Sequence, residues 1–172
     1  MKPILTTQEH YDFLAESGHG RDDQPLMQEY MAHWDGSAFF DALGDVEGKD
    51  VLEIGVGTGR LARRVLEGGC SRFTGLDISP KTLEAARKEL AGSDGVELVL
   101  ADICQSVPTG AFDIAYSVLT FEHIEDKATA LAHVVESLRS GGHFVLSVNL
   151  TEYRDSEGED DWLDFGSHKV HL

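Results

Sequence analysis

Cysteine is scarce in this sequence: Cys70 and Cys104 are the only two among 172 residues. So few thiols cannot build a disulfide scaffold and they show no metal-ligand spacing, so buried free thiols are expected. Long apolar runs are also missing. No stretch reaches the roughly 18 apolar residues of a membrane-spanning helix, and Met1 to Leu14 lacks the apolar core of a signal peptide. A cytoplasmic chain without membrane contact is therefore expected. Basic residues are few as well. Lys plus Arg number 14 against 31 Asp plus Glu, a formal net charge of −17, and no basic run occurs. A surface of that sign repels phosphate backbones and anionic headgroups, which argues against a general nucleic-acid or membrane-surface binder. What is present is ordinary for a folded protein: 41% of residues are hydrophobic and 26% charged, in a length that suits one domain.

From Asp50 onward short apolar runs alternate with helix-period stretches, the pattern of βαβ units around a parallel sheet. Five strands are expected at Val51 to Ile54, Phe73 to Asp77, Val96 to Leu100, Phe112 to Ser117 and His143 to Val148. Each is short, rich in β-branched or aromatic residues, and bounded by Gly, Asp or Pro. Helices are expected over Gly59 to Glu67, from Pro80 behind the N-cap Ser79 to near Gly92, and from about Asp126 to Arg139, where Gly141 and Gly142 supply the stop.

Three segments follow from this pattern. Residues 1–48 read as an amino-terminal helical cap or lid, in which Met27, Tyr30, Met31, Trp34 and Ala38 recur at helical spacing. That stripe suits packing on the sheet or the inner wall of a lid, and both can hold. Residues 49–150 form the core. Residues 151–172 begin with the acidic run Thr151 to Asp164, expected as a solvated loop, and end in Lys169 to Leu172, at best one more strand.

The most informative stretch is Val51-Leu52-Glu53-Ile54-Gly55-Val56-Gly57-Thr58-Gly59-Arg60, a buried strand entering a glycine turn that opens a helix. Glycine there permits positive φ and lets a ligand approach the backbone. Dinucleotide-binding folds use a similar turn, but their third glycine would fall at position 60, where this chain has Arg60. An acid beside the turn, Glu53, disfavours phosphate and suits a cation. Asp77 ends the second strand, where a carboxylate can accept both hydroxyls of a ribose. Asp102 follows the third strand and is placed to accept from an adenine amino group, with Ile78 and Ile103 as apolar surface on either side of the base. Successive acids at the carboxyl ends of parallel strands mark the edge where open α/β sheets bind ligands.

These motifs, together with Phe112 to Asp126 (F-D-I-A-Y-S-V-L-T-F-E-H-I-E-D) and Leu138 to Val148 (L-R-S-G-G-H-F-V-L-S-V), resemble those of class I S-adenosylmethionine-dependent methyltransferases. The resemblance runs from about Asp50 to Asn149. It implies a three-layer α/β/α, Rossmann-like parallel sheet of about five strands, with the carboxyl-terminal strands of the seven-stranded family fold missing or incomplete. It also implies S-adenosyl-L-methionine as cofactor, S-adenosyl-L-homocysteine as product and a methyl-transferring enzyme. Glu53, Gly55, Gly57 and Gly59 would lie near the methionine part, Asp77 on the ribose, and Asp102 and Ile103 at the adenine. Ser117, Val118 and Leu119 would face the sulfonium and the acceptor.

Methyl transfer from a sulfonium needs alignment and water exclusion more than strong acid catalysis, and a base only where the acceptor arrives protonated. Glu122 and His123 are the candidates for that role, although His123 also suits a loop residue that orders its turn. His10, His19, His33, Tyr11 and Tyr30 are not placed by sequence. His168 and His171 lack a third nearby ligand, so no metal is expected. The expected partner is a small-molecule acceptor, with the fifth strand an edge open to a second copy of the chain. A non-catalytic cofactor-binding module and a protein methyltransferase are the alternatives. An oxidoreductase is disfavoured by Arg60 and Asp102. The Asn/Asp-Pro-Pro-Tyr pattern after the fourth strand, which resembles that of enzymes methylating amino groups of nucleic acid or glutamine, is absent.

Overall fold

The structure, a computed structural model, describes residues 2–17, 29, 31, 34–107, 112–148, 162–164 and 169–171. Its centre is a parallel sheet of five strands: β2 (Asp50–Ile54), β3 (Arg72–Asp77), β4 (Val96–Leu100), β5 (Phe112–Val118) and β6 (Leu138–Ser147). The spatial order is β4-β3-β2-β5-β6. The chain therefore builds outward from β2 through β3 and β4, then returns to the other side of β2 for β5. That reversal opens a crevice at the carboxyl ends of β2 and β5.

Alternation along the strands explains the layers. Val51, Phe73, Ile114 and Tyr116 point into one apolar cluster with Phe39 and Leu43 of helix α2 (Ser37–Leu43) and Leu61, Ala62 and Val65 of helix α3 (Arg60–Glu67). Helix α4 (Pro80–Glu89) adds Leu83 to that cluster. Leu52, Ile54, Leu76 and Ala115 point the other way, against Ala130 and Val134 of helix α5 (Lys127–Ser137). A sheet buried on both faces cannot show a polar side, which is why its strands read as continuous apolar runs.

The expected helix starts are the observed ones within a residue. The Ser79 hydroxyl accepts from Thr82 N at 3.0 Å with Pro80 in the first turn, and Asp126 accepts from Thr129 N at 3.0 Å. The expected stop at Gly141 and Gly142 is corrected. Helix α5 ends at Ser137, and Leu138 already pairs with Phe112 in the sheet. The next pair is Ile114 with His143, so the intervening residues bulge, and Gly141 takes φ +85° there. The bulge carries Arg139 to Asp113 at 2.6 Å and Asp50 at 2.5 Å, tying the amino ends of β2 and β5 together.

A second, three-stranded sheet joins the chain's two ends. Strand β1 (Ile4–Leu5) runs parallel to β8 (Lys169–His171), which pairs antiparallel with β7 (Trp162–Asp164). Two expectations change accordingly. Trp162–Asp164, assigned to the solvated loop, is a strand, and the strand at Lys169 extends this small sheet instead of the central one. The rest of the acidic run, with Met27 and Tyr30 of the amino-terminal stripe, lies outside the described residues. Helix α1 (Thr7–Ser17) follows β1 and packs on α4. Among the described residues no helix is long and apolar enough to cross a membrane.

Candidate active site

The crevice is a cavity of about 520 Å³, a size typical of small-molecule sites. Its floor is the turn after β2. Gly55, Gly57 and Gly59 have φ of +76°, +56° and +90°, and two of these glycines are required for different reasons. A Cβ on Gly55 would lie 2.1 Å from Thr120 Oγ1, so the turn and the end of β5 approach too closely for any side chain. A Cβ on Gly57, a lining residue of the cavity, would meet nothing within 4 Å, but the positive φ there favours glycine.

Glu53, Gly55, Gly57, Asp77, Ile78, Asp102, Ile103 and Leu119, expected from the sequence as cofactor contacts, line the cavity together with His123, expected as a base or as a residue ordering its turn. Glu53 is 3% exposed and accepts from Tyr116 Oη at 2.8 Å. Burial pushes its pKa up to about 8, helped by Asp77 and Asp35, while the Tyr116 bond and Arg60 oppose the rise. Arg60 lines the cavity beside it and pairs with buried Asp35. Asp77 accepts from Ser79 N at 2.9 Å and Gly57 N at 3.0 Å, one to each oxygen. Burial raises its pKa, and those backbone bonds hold the rise back. The carboxylate is thus aimed by the turn itself, with lone pairs left for a ligand. Asp102 accepts from Cys104 N at 2.9 Å and Gln105 Nε2 at 3.0 Å.

Leu119 has φ +53°, a conformation that costs a branched side chain about 1–3 kcal/mol and persists where surrounding contacts impose it. Its amide donates to Ser147 O at 2.9 Å, which fixes the turn at the cavity wall. His123 presents Nδ1 as a buried atom without a hydrogen-bond partner. Burial lowers its pKa, so the ring is neutral near pH 7. Tyr11 of α1 meets it edge-on, with ring centroids 5.7 Å apart, and Thr7 Oγ1 donates to His123 O at 3.4 Å.

Three expected site residues lie outside the lining. Ser117 is fully buried and donates to Ile54 O at 2.9 Å, because β5 continues to Val118 and keeps Ser117 inside the sheet. Gly59 sits behind the turn against Leu90, whose Cγ would be 3.2 Å from an added Cβ. Glu122 is adjacent to His123 but does not line the cavity. Four lining residues of α1, namely Thr7, Tyr11, Leu14 and Ala15, were not singled out together by sequence, since only Tyr11 carried a chemical signal. Cys70 and Cys104 are free and half-buried, where full burial was expected, and Cys104 lines the cavity. His10 is buried, while His19, His33, Tyr30 and His168 lie outside the described residues. No group of three or more His, Cys, Asp or Glu among the described residues is arranged to hold a metal.

The model for the methyltransferase domain matches residues 52–146, more than half of the chain. The chain belongs to the methyltransferase-domain family. A curated relative of this family, malonyl-[acyl-carrier protein] O-methyltransferase 1 of Ilyobacter polytropus, is 30% identical over 99 residues, covering 57% of this chain and 37% of the relative. The crystal structure of an S-adenosylmethionine-dependent methyltransferase from Mesorhizobium loti is 37% identical with a TM-score of 0.61, covering 66% of this chain and 52% of that one. The DhpI–SAM–HEP complex is 26% identical with a TM-score of 0.69, over 90% of this chain and 72% of that one. The methyltransferase-domain chain spans less than half the length of the curated relatives it matches.

The site also passes a physical test for an adenosyl sulfonium ligand. A glycine cradle opens into free space at Gly57, a buried carboxylate is aimed by backbone amides at Asp77, and Glu53 and Asp77 sit where positive charge would be favoured.

Proposed function

We propose that this methyltransferase domain binds S-adenosyl-L-methionine in the crevice and transfers the methyl group to a small-molecule acceptor. The observation that carries the reading is Asp77, pinned by Gly57 N and Ser79 N at the end of β3 and facing a cavity floored by the glycine turn. When bound, the cofactor supplies an electrophilic methyl on a cationic sulfur that leaves as a neutral thioether.

The chain's own residues supply binding, alignment and water exclusion. Asp77 accepts the ribose hydroxyls. Ile78 and Ile103 enclose the base, and Asp102 keeps acceptor capacity toward its amino group. The turn at Gly55 and Gly57, with Glu53, receives the methionine part. Leu119 and His123 border the place where the acceptor must stand. His123, neutral near pH 7, takes the proton of an acceptor that arrives as a hydroxyl or ammonium. The relatives named above support the methyl-transfer reading, the Mesorhizobium loti structure by its cofactor and the DhpI complex by holding SAM.

A thermal-shift comparison of S-adenosylhomocysteine with NAD tests the cofactor, and labelled S-adenosylmethionine offered with amines, phenols, thiols and carboxylic acids tests transfer. Stabilisation by S-adenosylhomocysteine alone and label in a small product are expected. Stabilisation by NAD alone would overturn the cofactor reading, and binding without any transfer would mark a non-catalytic module.

A further inference from the structure

We propose that Asp12 is a positioning residue that couples the seating of helix α1 over the cavity to occupancy of the ribose carboxylate Asp77. The inference rests on the cofactor reading above and adds a coupling that the reading does not need.

Helix α1 closes one side of the cavity with Thr7, Tyr11 and Leu14, while its other face is fastened to the β3–α4 junction. Asp12 Oδ1 accepts from Ser79 Oγ at 2.6 Å and from Lys81 N at 3.4 Å, and Glu16 pairs with Lys81. Ser79 is fully buried, and every position on its hydroxyl is used. Its oxygen accepts from Thr82 N at 3.0 Å and Thr82 Oγ1 at 2.8 Å, so its single proton goes to Asp12. The backbone amide of the same residue holds Asp77 Oδ1 at 2.9 Å, and Gly57 N holds Oδ2 at 3.0 Å. A continuous hydrogen-bonded path thus runs from the glycine turn through Asp77 and Ser79 to the helix that covers the site.

That path gives the coupling its direction. Hydroxyls donated to Asp77 fix the Asp77-Ile78-Ser79 segment, which fixes the donor that α1 requires. A seated α1 in turn shields the cavity from water, and such linkage between two binding events is reciprocal. The Asp12 charge also raises the pKa of Asp77, so the two carboxyls sense each other across Ser79. The seated α1 sets Tyr11 edge-on to His123, so the same coupling reaches the wall beside the acceptor's place.

The test reads hydrogen exchange in residues 7–17 and calorimetric binding of S-adenosylhomocysteine in the full chain and in Asp12→Ala. In the parent chain the ligand should slow exchange in α1. Asp12→Ala should weaken binding about tenfold, the effect of one charge-assisted hydrogen bond, and should abolish the ligand-dependent slowing. Glu84→Gln, which alters only an exposed pair with Lys88 within α4, should change neither. Should Asp12→Ala fail to fold, Asp12→Asn keeps the shape and one acceptor oxygen and is read the same way, with a smaller loss. Failure of the parent chain to bind the ligand overturns the cofactor reading. Parent-like binding and slowing in the Asp12 variant overturn the coupling while leaving that reading intact.

Discussion

Glu53→Gln replaces a buried carboxyl by an amide of the same size beside Tyr116. In the folded chain the Glu53 pKa is pushed up to about 8, from an ordinary 4.5, mainly by burial. Between those values the folded state holds a proton that the unfolded state has lost. Stability contributed by this group is therefore greatest below about pH 4.5, falls as pH rises through the window, and stops falling above about pH 8. Integrating that linkage from about pH 6 to 9 gives a loss of about 2–3 kcal/mol. The glutamine variant carries no such titration. Its own packing difference is the same at both pH values, and the pH-dependent contributions of Asp77 and His123 are common to both proteins, so a difference of differences isolates Glu53. Urea unfolding of both proteins without ligand at the two pH values is the assay. The variant should gain about 2–3 kcal/mol on the parent between them. Parallel pH dependence in both proteins would refute the argument that this carboxyl is held neutral by burial.

Gly57→Ala should cost only about 1–2 kcal/mol of stability, from its positive φ, yet abolish S-adenosylhomocysteine binding by calorimetry, whereas Gly55→Ala should cost about 3 kcal/mol or more because its Cβ collides with Thr120. Equal stability loss in the two would contradict the assignment of separate roles. Ser117→Ala should lower unfolding free energy by about 1–2 kcal/mol and leave ligand affinity unchanged, since the hydroxyl serves Ile54 O and not the cavity. His123→Asn should reduce turnover of an acceptor that needs deprotonation by about 10²–10⁴-fold. In the parent the acidic limb of the pH–rate profile should lie below the usual histidine value, because burial disfavours the charged ring, and that limb should vanish in the variant. An unchanged profile would assign His123 to its turn.

The central sheet was legible because both its faces are buried, so each strand reads as an apolar run and each turn as glycine, aspartate or proline. Glu53, Asp77 and Asp102 were legible for a related reason: strand ends place side chains by counting, and all three lie on the cavity. Ser117 shows where counting stops. Whether it faces solvent or sheet depends on one more residue of β5, and Val118 is in the strand. The α5 to β6 junction failed similarly, since Gly141 and Gly142 looked like a helix stop but serve a bulge that carries Arg139 to Asp50 and Asp113. The covering helix was the least visible part. Its seat depends on Thr7 meeting His123 and Asp12 meeting Ser79, contacts between residues far apart in the chain that no local period announces.

Calorimetric titration of S-adenosylhomocysteine into the parent chain and Asp77→Ala tests the central claim most directly. The account predicts saturable one-to-one binding in the parent and loss of most of that affinity in the variant, because the variant removes the acceptor that Gly57 N and Ser79 N aim into the cavity. Equal affinity in both proteins would contradict it.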